Sequence, residues 1–230
     1  MKKKSSKFNK KRNRMILVII AILIVIIIIL SCITVSKNKL TKDERYFKIE
    51  YEKFNGEKDS DNDEYIKVNI KDKNGVEYLD GKEAVKFMKN GTGIIYFGFP
   101  QCFWCRSAVE VLLEAKDDMG LDKLYYYNAY KDRDEKYLDS EGNILTLHKG
   151  SDEYYEILNL LGDRADKYDG LNDGSIKRLY FPTVLFIKKG NIVDMHVSTV
   201  ESNKSKKEKL TDKEYKKLKK IYIAGIKKIK

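Results

Sequence analysis

The sequence predicts an α/β domain in which helices cover both faces of a mixed sheet, preceded by an N-terminal apolar helix. Three observations predict it. Strand and helix patterns alternate along the middle of the 230 residues, which is typical of a sheet layered between helices. Two further strand patterns lie together near the C-terminus, as they do in a β-hairpin. An uncharged apolar stretch near the N-terminus stands apart from both.

The N-terminal residues carry a membrane signal. Residues 1–14 contain eight Lys or Arg residues and no acidic residue, and residues 15–36 contain no charge at all. A helix of about 20 apolar residues can span a bilayer, and the basic end of such a helix stays in the cytoplasm. We therefore expect a basic cytoplasmic tail over residues 1–14 and a transmembrane signal anchor over residues 15–35. The domain that follows would then lie outside the cell.

Two alternatives to a retained anchor stay open. The same pattern of basic and apolar residues also describes a cleaved secretory signal, although no convincing small-x-small cleavage site follows it. Ile29-Leu30-Ser31-Cys32 resembles a bacterial lipobox, in which the cysteine is lipidated after cleavage. Lipidation of Cys32 would still hold the domain at the outer face of the membrane.

The formal net charge of +11 does not indicate a nucleic-acid-binding domain. The N-terminal tail contributes +8 and residues 204–230 contribute +9. Residues 33–203 contain 26 basic and 32 acidic residues, a balance of −6. A nucleic-acid-binding surface would be a basic face with interleaved aromatic residues across the domain. The sequence therefore predicts no nucleic-acid partner.

The elements follow in order after the apolar stretch. Residues 36–63 are polar and lack regular periodicity, so we expect a linker with one candidate short strand near residues 46–51. The domain is expected over residues 64–230, because Tyr65–Ile70 alternates apolar and polar side chains as a strand does. The continuous apolar run Gly93–Gly98 predicts a central strand that is buried on both faces.

The other predicted elements surround that central strand. They are a helix at Lys82–Lys89, a helix from the cysteine pair to about Gly120, a strand at Leu124–Tyr130, a long loop or small hairpin at Lys131–Ser151, a helix at Glu153–Leu161, a hairpin of Thr183–Ile187 with Ile192–Val197, and a helix from about Thr211.

Two cysteines, Cys102 and Cys105, carry the functional signal. They follow directly on the predicted central strand and so lie at the N-terminus of the next helix. Free N–H groups and the helix dipole stabilise a thiolate there, and such sites lower a cysteine pKa from about 8.5 to about 3.5–7.5. We therefore expect Cys102 to be the exposed nucleophile. Cys105, one turn further on, would be the buried thiol that resolves a mixed disulfide.

A structural role for the pair is less well supported. Two cysteines this close in sequence form a ring too short to hold a fold together, and no other pair follows the apolar stretch. A structural zinc site takes about four ligands, and beyond the pair that part of the chain offers only the distant His148 and His196. We expect redox chemistry with no metal, and no cofactor beyond the cysteine pair.

The segment Phe99-Pro100-Gln101-Cys102-Phe103-Trp104-Cys105 resembles the active-site segment of the thioredoxin superfamily. Tyr180-Phe181-Pro182-Thr183 resembles that family's second marker, and the resemblance covers about residues 65–230. It implies a thioredoxin-like fold in which Pro182 is a cis-proline facing the cysteine pair. It also implies that the backbone of Phe181 binds substrate, and we expect Phe103 and Trp104 to contact substrate as well.

The insert before Pro182 is similar to that of bacteriocin-transport accessory proteins, which implies a link to peptide export. Two positions depart from the family patterns. Phe103 stands where those proteins usually have proline, and Tyr96 stands where many thioredoxins have a buried aspartate. Arg106 follows the pair and either favours the thiolate or points to solvent. The direction of electron flow stays open.

Two functions fit these observations. The first is a membrane-tethered, extracytoplasmic thiol–disulfide oxidoreductase that exchanges disulfides with protein substrates and is reset by a separate redox partner. The second is a redox-silent accessory or binding module on a thioredoxin scaffold, associated with bacteriocin export. The intact cysteine pair favours the first.

Overall fold

The computed structural model describes residues 15–27 and 40–230. The chain divides into two compact units, Met1–Thr41 and Lys42–Lys230. In the first unit, residues 15–27 form helix α1, whose side chains are exposed. No helix within the described ranges has the length and apolar character needed to cross a membrane. The basic tail, residues 28–35 of the expected anchor and Cys32 lie outside the described residues.

The second unit contains the α/β domain. Its helices are α2 (Lys42–Glu52), α3 (Gly81–Asn90), α4 (Phe103–Asp118), α5 (Asp152–Leu161) and α6 (Asp212–Ile229), with a turn of 3-10 helix at Gly162–Arg164. Its strands are β1 (Val76–Tyr78), β2 (Gly93–Phe97), β3 (Leu124–Tyr127), β4 (Glu135–Leu138), β5 (Ile144–His148), β6 (Asp166–Lys167), β7 (Lys177–Arg178), β8 (Thr183–Lys188) and β9 (Asn191–Val197).

Five strands form a mixed central sheet in the order β1-β3-β2-β8-β9. Strand β3 runs parallel to both β1 and β2, whereas β8 is antiparallel to β2 and to β9. Two small two-stranded sheets, β4-β5 and β6-β7, lie in the insert between β3 and β8. The segment that was expected to be a loop or a small hairpin is therefore the hairpin β4-β5.

Strand β2 is the central strand, as its apolar run predicts. Successive side chains of a strand point to opposite faces of the sheet. Ile94 and Tyr96 enter a core shared with α2, α4 and α6. Ile95 and Phe97 enter a second core shared with α3 and α5. Helices therefore cover both faces of the sheet, and the predicted α/β architecture is confirmed.

The C-terminal hairpin and helix also follow the sequence prediction. Thr211 caps the N-terminus of α6, with Glu214 bonding back to the cap backbone in a capping box. Gly225 faces the ring of Phe186, so that a Cβ atom there would lie only 2.4 Å from it. Glycine at this position lets α6 pack closely against β8.

Residues 42–52 were expected to belong to a linker over residues 36–63, with a candidate strand near residues 46–51. They form helix α2 instead. Phe47 and Tyr51 are four residues apart, lie on one helical face and are both completely buried. The charged residues between them obscure this short apolar stripe in the sequence. Helix α2 is therefore part of the domain core, and the domain begins before residue 64.

The strand expected over residues 65–70 is wrong, although the alternation that predicted it is real. Tyr65, Ile66, Val68 and Ile70 are buried, while Lys67 and Asn69 are exposed. No strand pairs with this segment in the described part of the chain, because side chains take the place of a neighbouring strand.

Two of these side chains come from the α2 region. Asn55 donates to the carbonyl of Val68 at 2.7 Å and accepts from its N–H at 2.9 Å. Glu52 accepts from the N–H of Ile70 at 2.8 Å. The alternation thus reflects which side chains are buried. The backbone groups that would pair with a neighbouring strand bond to side chains instead.

Candidate functional site

Cys102 occupies the N-cap of α4, immediately after the turn that leaves β2. Its backbone is extended, with φ −78° and ψ 116°, and its Sγ accepts a hydrogen bond from the N–H of Cys105 at 3.3 Å. The first N–H groups of a helix have no partner within the helix. A sulfur at this position receives those donors and the positive end of the helix dipole, both of which stabilise a thiolate.

The two thiols have opposite environments. Cys102 is half-buried and Cys105 is completely buried, and both are free cysteines. A hydrogen bond from the Cys105 thiol lowers the pKa of Cys102, against the effect of burial, and backbone N–H groups and the charge of Arg133 lower it further. Burial raises the pKa of Cys105 well above its ordinary value, and the hydrogen bond with Cys102 adds to this. Cys102 therefore ionises first and Cys105 keeps its proton.

The segment before β8 lies against the cysteine pair. The Phe181–Pro182 peptide bond is cis, as the resemblance implies, and both residues are buried. The Cys102 thiol donates to the carbonyl of Phe181, with Sγ and O 3.7 Å apart. The N–H of Ser198 donates to the carbonyl of Pro182 at 2.7 Å. This segment thus forms one wall of the site and is fixed to the β9 end.

Phe103 does not face outward, contrary to the expectation that it contacts substrate. Its side chain is 7% exposed and stacks on Tyr65, with the ring centres 5.1 Å apart. Ile66 belongs to the same cluster. The first turn of α4 directs Phe103 toward the irregular segment at residues 65–70, so its role is to pack that segment against the helix.

Trp104 is half-buried and keeps one side open. It lines a groove of about 530 Å³ together with Ser198 and Thr199 of the β9–α6 connection and Lys217 of α6. His196 also lines this groove, but its Nε2 bonds to the carbonyl of Thr199 at 2.7 Å, and burial lowers its pKa. The geometry is compatible with substrate contact at Trp104 and gives His196 a packing role.

Arg106 neither points to solvent nor faces the Cys102 sulfur. Its side chain is 1% exposed. It donates to the carbonyls of Ile66 at 2.6 Å, Tyr51 at 2.8 Å and Pro100 at 3.0 Å, and to Oδ1 of Asn55 at 2.7 Å. One guanidinium therefore joins α2, the irregular segment and the turn that precedes Cys102.

Tyr96 lies behind Cys105, where many members of the resembled family have an acid. Its hydroxyl is 2.9 Å from that of Tyr51 and donates to the carbonyl of Cys105 at 3.5 Å. A hydrogen bond from Tyr96 also acts on the Cys105 thiol and opposes the rise in its pKa. The sequence indicated that this position departs from the family pattern. It did not indicate the second hydroxyl, because Tyr51 was assigned to a linker.

The insert contributes an aromatic rim that the sequence did not predict. The ring of Phe99 lies 4.4 Å from that of Tyr130 and 5.5 Å from that of Phe181, between centres. Arg133 lies over both of these rings, 5.0 Å from Tyr130 and 5.3 Å from Phe181. The resulting site combines a half-buried nucleophilic thiol, a buried second thiol and an aromatic border that carries a positive charge.

No group of three or more His, Cys, Asp or Glu side chains within the described ranges is arranged to hold a metal ion. Comparisons with protein-family models, with curated proteins and with solved structures give no match for this chain.

Proposed function

We propose that the chain is a thiol–disulfide oxidoreductase of the thioredoxin superfamily that exchanges disulfides with protein substrates. One observation carries the proposal: a half-buried thiol with a lowered pKa at a helix N-cap contacts a completely buried thiol with a raised pKa. A two-step exchange needs this asymmetry, because the attacking sulfur must be ionised and accessible. The second thiol must stay protonated until the mixed disulfide has formed.

The topology supports assignment to that superfamily. Its resemblance implies a cysteine pair after a central strand and a cis-proline before an antiparallel strand. In this domain the pair follows β2, the middle strand of five, and Pro182 precedes β8. The carbonyl next to that proline contacts Cys102. A relationship to bacteriocin-transport accessory proteins, and with it a role in peptide export, is part of the proposal.

The first step is attack by the Cys102 thiolate on one sulfur of a substrate disulfide. The substrate S–S bond breaks as the bond to Cys102 forms, and the other substrate sulfur leaves as a thiolate. Cys102 is partly exposed, and Trp104, which lies between the two cysteines in sequence, lines a groove with residues 196–201.

In the second step Cys105 loses its proton and attacks Sγ of Cys102. The mixed disulfide breaks, the second substrate sulfur leaves as a thiolate, and a Cys102–Cys105 disulfide remains. Two electrons have passed to the substrate. The reverse sequence oxidises a substrate dithiol, and a separate dithiol or disulfide protein resets the pair in either direction.

The proposal places this domain outside the cell, tethered to the membrane by its N-terminus. The support comes from the sequence: eight basic residues precede an uncharged apolar stretch that begins at Met15. A basic segment of this kind stays on the cytoplasmic side.

A redox titration tests the function. The full chain carrying Cys32→Ser would be equilibrated across glutathione buffers of defined potential, and Trp104 fluorescence and free thiols would be measured. We expect both signals to change together and reversibly, with two thiols lost per chain on oxidation. Cys102→Ser should abolish turnover of an insulin substrate, and Cys105→Ser should accumulate a mixed disulfide at Cys102. A pair that does not respond would support a redox-silent binding module instead.

A further inference from the structure

Arg133 is a charged residue at the edge of the site, and its guanidinium makes no hydrogen bond to the described part of the chain. Its guanidinium carries five N–H donors. Within the described residues, those donors make no hydrogen bond and no ion pair. The side chain is half-buried and lies over the rings of Tyr130 and Phe181. Cation–π attraction favours a guanidinium placed over aromatic rings, and it leaves the N–H groups available for hydrogen bonds.

The two acidic neighbours of Arg133 in the chain, Asp132 and Asp134, contact other side chains. The carboxylate of Asp132 accepts from the hydroxyl of Tyr127 at 2.5 Å. Asp134 is buried, and its Oδ2 lies 3.4 Å from Nζ of Lys136. Oδ1 of Asp134 is buried and has no hydrogen-bond partner among the described residues, and neither flanking carboxylate forms an ion pair with Arg133 in that part of the chain.

The surroundings of Arg133 add positive charge. Arg178 is close enough to lower the pKa of Arg133 by repulsion, in addition to the larger effect of burial, while nearby tyrosines oppose both. The Nε of Arg178 is itself buried and has no hydrogen-bond partner among the described residues. Two guanidinium groups with unmade hydrogen bonds in one region favour the approach of an anion.

The location connects this charge to the chemistry. Arg133 lies over Phe181, and the carbonyl of Phe181 contacts the Cys102 thiol. The charge of Arg133 also acts on the Cys102 thiol, so a molecule whose sulfur is at Cys102 can place an anionic group at Arg133.

We propose that Arg133 forms a carboxylate-binding site beside Cys102, which selects disulfides and thiols that carry a carboxylate next to their reacting sulfur. This inference rests on the proposed function. Carboxylates match the guanidinium geometry and form paired, charge-assisted hydrogen bonds with it. The carboxylate comes either from an acidic residue beside the substrate cysteine or from a small thiol such as glutathione.

A charge series of small disulfides tests the site. The reduced full chain with Cys32→Ser would react with dithiodipropionate, which is anionic, with hydroxyethyl disulfide, which is neutral, and with cystamine, which is cationic. Each probe oxidises the pair and is reduced to two thiols. We expect the anionic probe to react faster than the cationic one. Arg133→Gln should reduce that rate ratio by about fivefold or more, whereas Arg133→Lys should retain part of it.

Arg164→Gln is the matched control, because Arg164 is an exposed arginine outside the site. It should leave the ratio unchanged. Two arms identify the source of the carboxylate: disulfide-linked peptides with Glu or Gln beside the cysteine, and glutathione disulfide. An Arg133-dependent preference for Glu peptides assigns the site to proteins, and one confined to glutathione disulfide assigns it to small thiols.

The inference is overturned if the neutral probe reacts but charge makes no difference, or if Arg133→Gln and Arg164→Gln change the ratio equally. If none of the probes reacts with the pair, the proposed function fails, and this inference fails with it.

Discussion

Two arginines near the cysteine pair are used in opposite ways. Arg106 is almost completely buried and donates hydrogen bonds to three carbonyls and to Asn55. Arg133 is half-buried, lies on two aromatic rings and has no bonded acceptor in the described part of the chain. The comparison separates support from recognition: the α2 side of the site is saturated and rigid, whereas the insert side offers a charge to a ligand.

The largest expected effect is a loss of stability on removal of the Arg106 guanidinium. Arg106→Met should lower the free energy of unfolding by about 3–5 kcal/mol, because it leaves several buried acceptors unpaired. Urea denaturation of the reduced protein measures it. Arg164→Gln should stay within about 0.5 kcal/mol of the parent, as surface substitutions usually do. Arg133→Gln should cost about 1 kcal/mol, because it removes the cation–π contacts with Tyr130 and Phe181. Equal losses for Arg106 and Arg133 would remove the distinction between the two sides.

Asn55→Ala should cost about 2 kcal/mol, since Asn55 bonds both backbone groups of Val68 and the guanidinium of Arg106. Amide hydrogen exchange would show which backbone N–H groups lose protection, and we expect faster exchange at the Val68 amide. The control is Asn172→Ala, which removes one exposed bond to the carbonyl of Gly142. An unchanged Val68 amide would show that the irregular segment is held by packing alone.

Tyr96→Phe should slow the resolving step by about threefold to tenfold, because it removes a hydroxyl that stabilises the Cys105 thiolate. The measurement is the rate at which a mixed disulfide at Cys102 is released. Tyr126→Phe is the matched control, since the Tyr126 hydroxyl is buried with no hydrogen-bond partner among the described residues. If both variants resolve at the same rate, the hydroxyl at Tyr96 has no role in the step.

The smallest expected effect is that of Arg133 on the pKa of Cys102. The positive charge of Arg133 helps to lower the pKa of Cys102. Arg133→Gln should therefore raise that pKa, because it removes a positive charge that favours the thiolate. The rate of thiol alkylation followed against pH would shift to higher pH. A shift to lower pH would contradict the assigned contact.

The parts of the fold that could be predicted from sequence are those fixed by local pattern. The run Ile94–Phe97 specifies a buried strand, and its position before Cys102 fixes the start of α4. Helix α2 escaped prediction because Phe47 and Tyr51 are its only completely buried apolar residues within a charged segment.

The less predictable parts depend on contacts between distant residues. The bonds that replace a strand partner at Val68 come from Asn55, and those that fix Arg106 come from three separate segments. Phe103 is adjacent to Cys102 in sequence, but the helix turns it away into the core. Arg133 lies in a hydrophilic stretch whose alternating charges do not reveal which residues are paired.

Differential alkylation of the two cysteines tests the central claim most directly. The reduced full chain with Cys32→Ser would be treated with iodoacetamide from pH 4 to pH 10, and modification of each cysteine would be followed by mass spectrometry. We expect Cys102 to be modified with an apparent pKa below the ordinary value of about 8.5, since its lowered pKa increases the thiolate fraction at each pH in that range. Cys105 should stay unmodified throughout. Equal modification of both thiols, or earlier modification of Cys105, would contradict the assignment of Cys102 as the attacking sulfur.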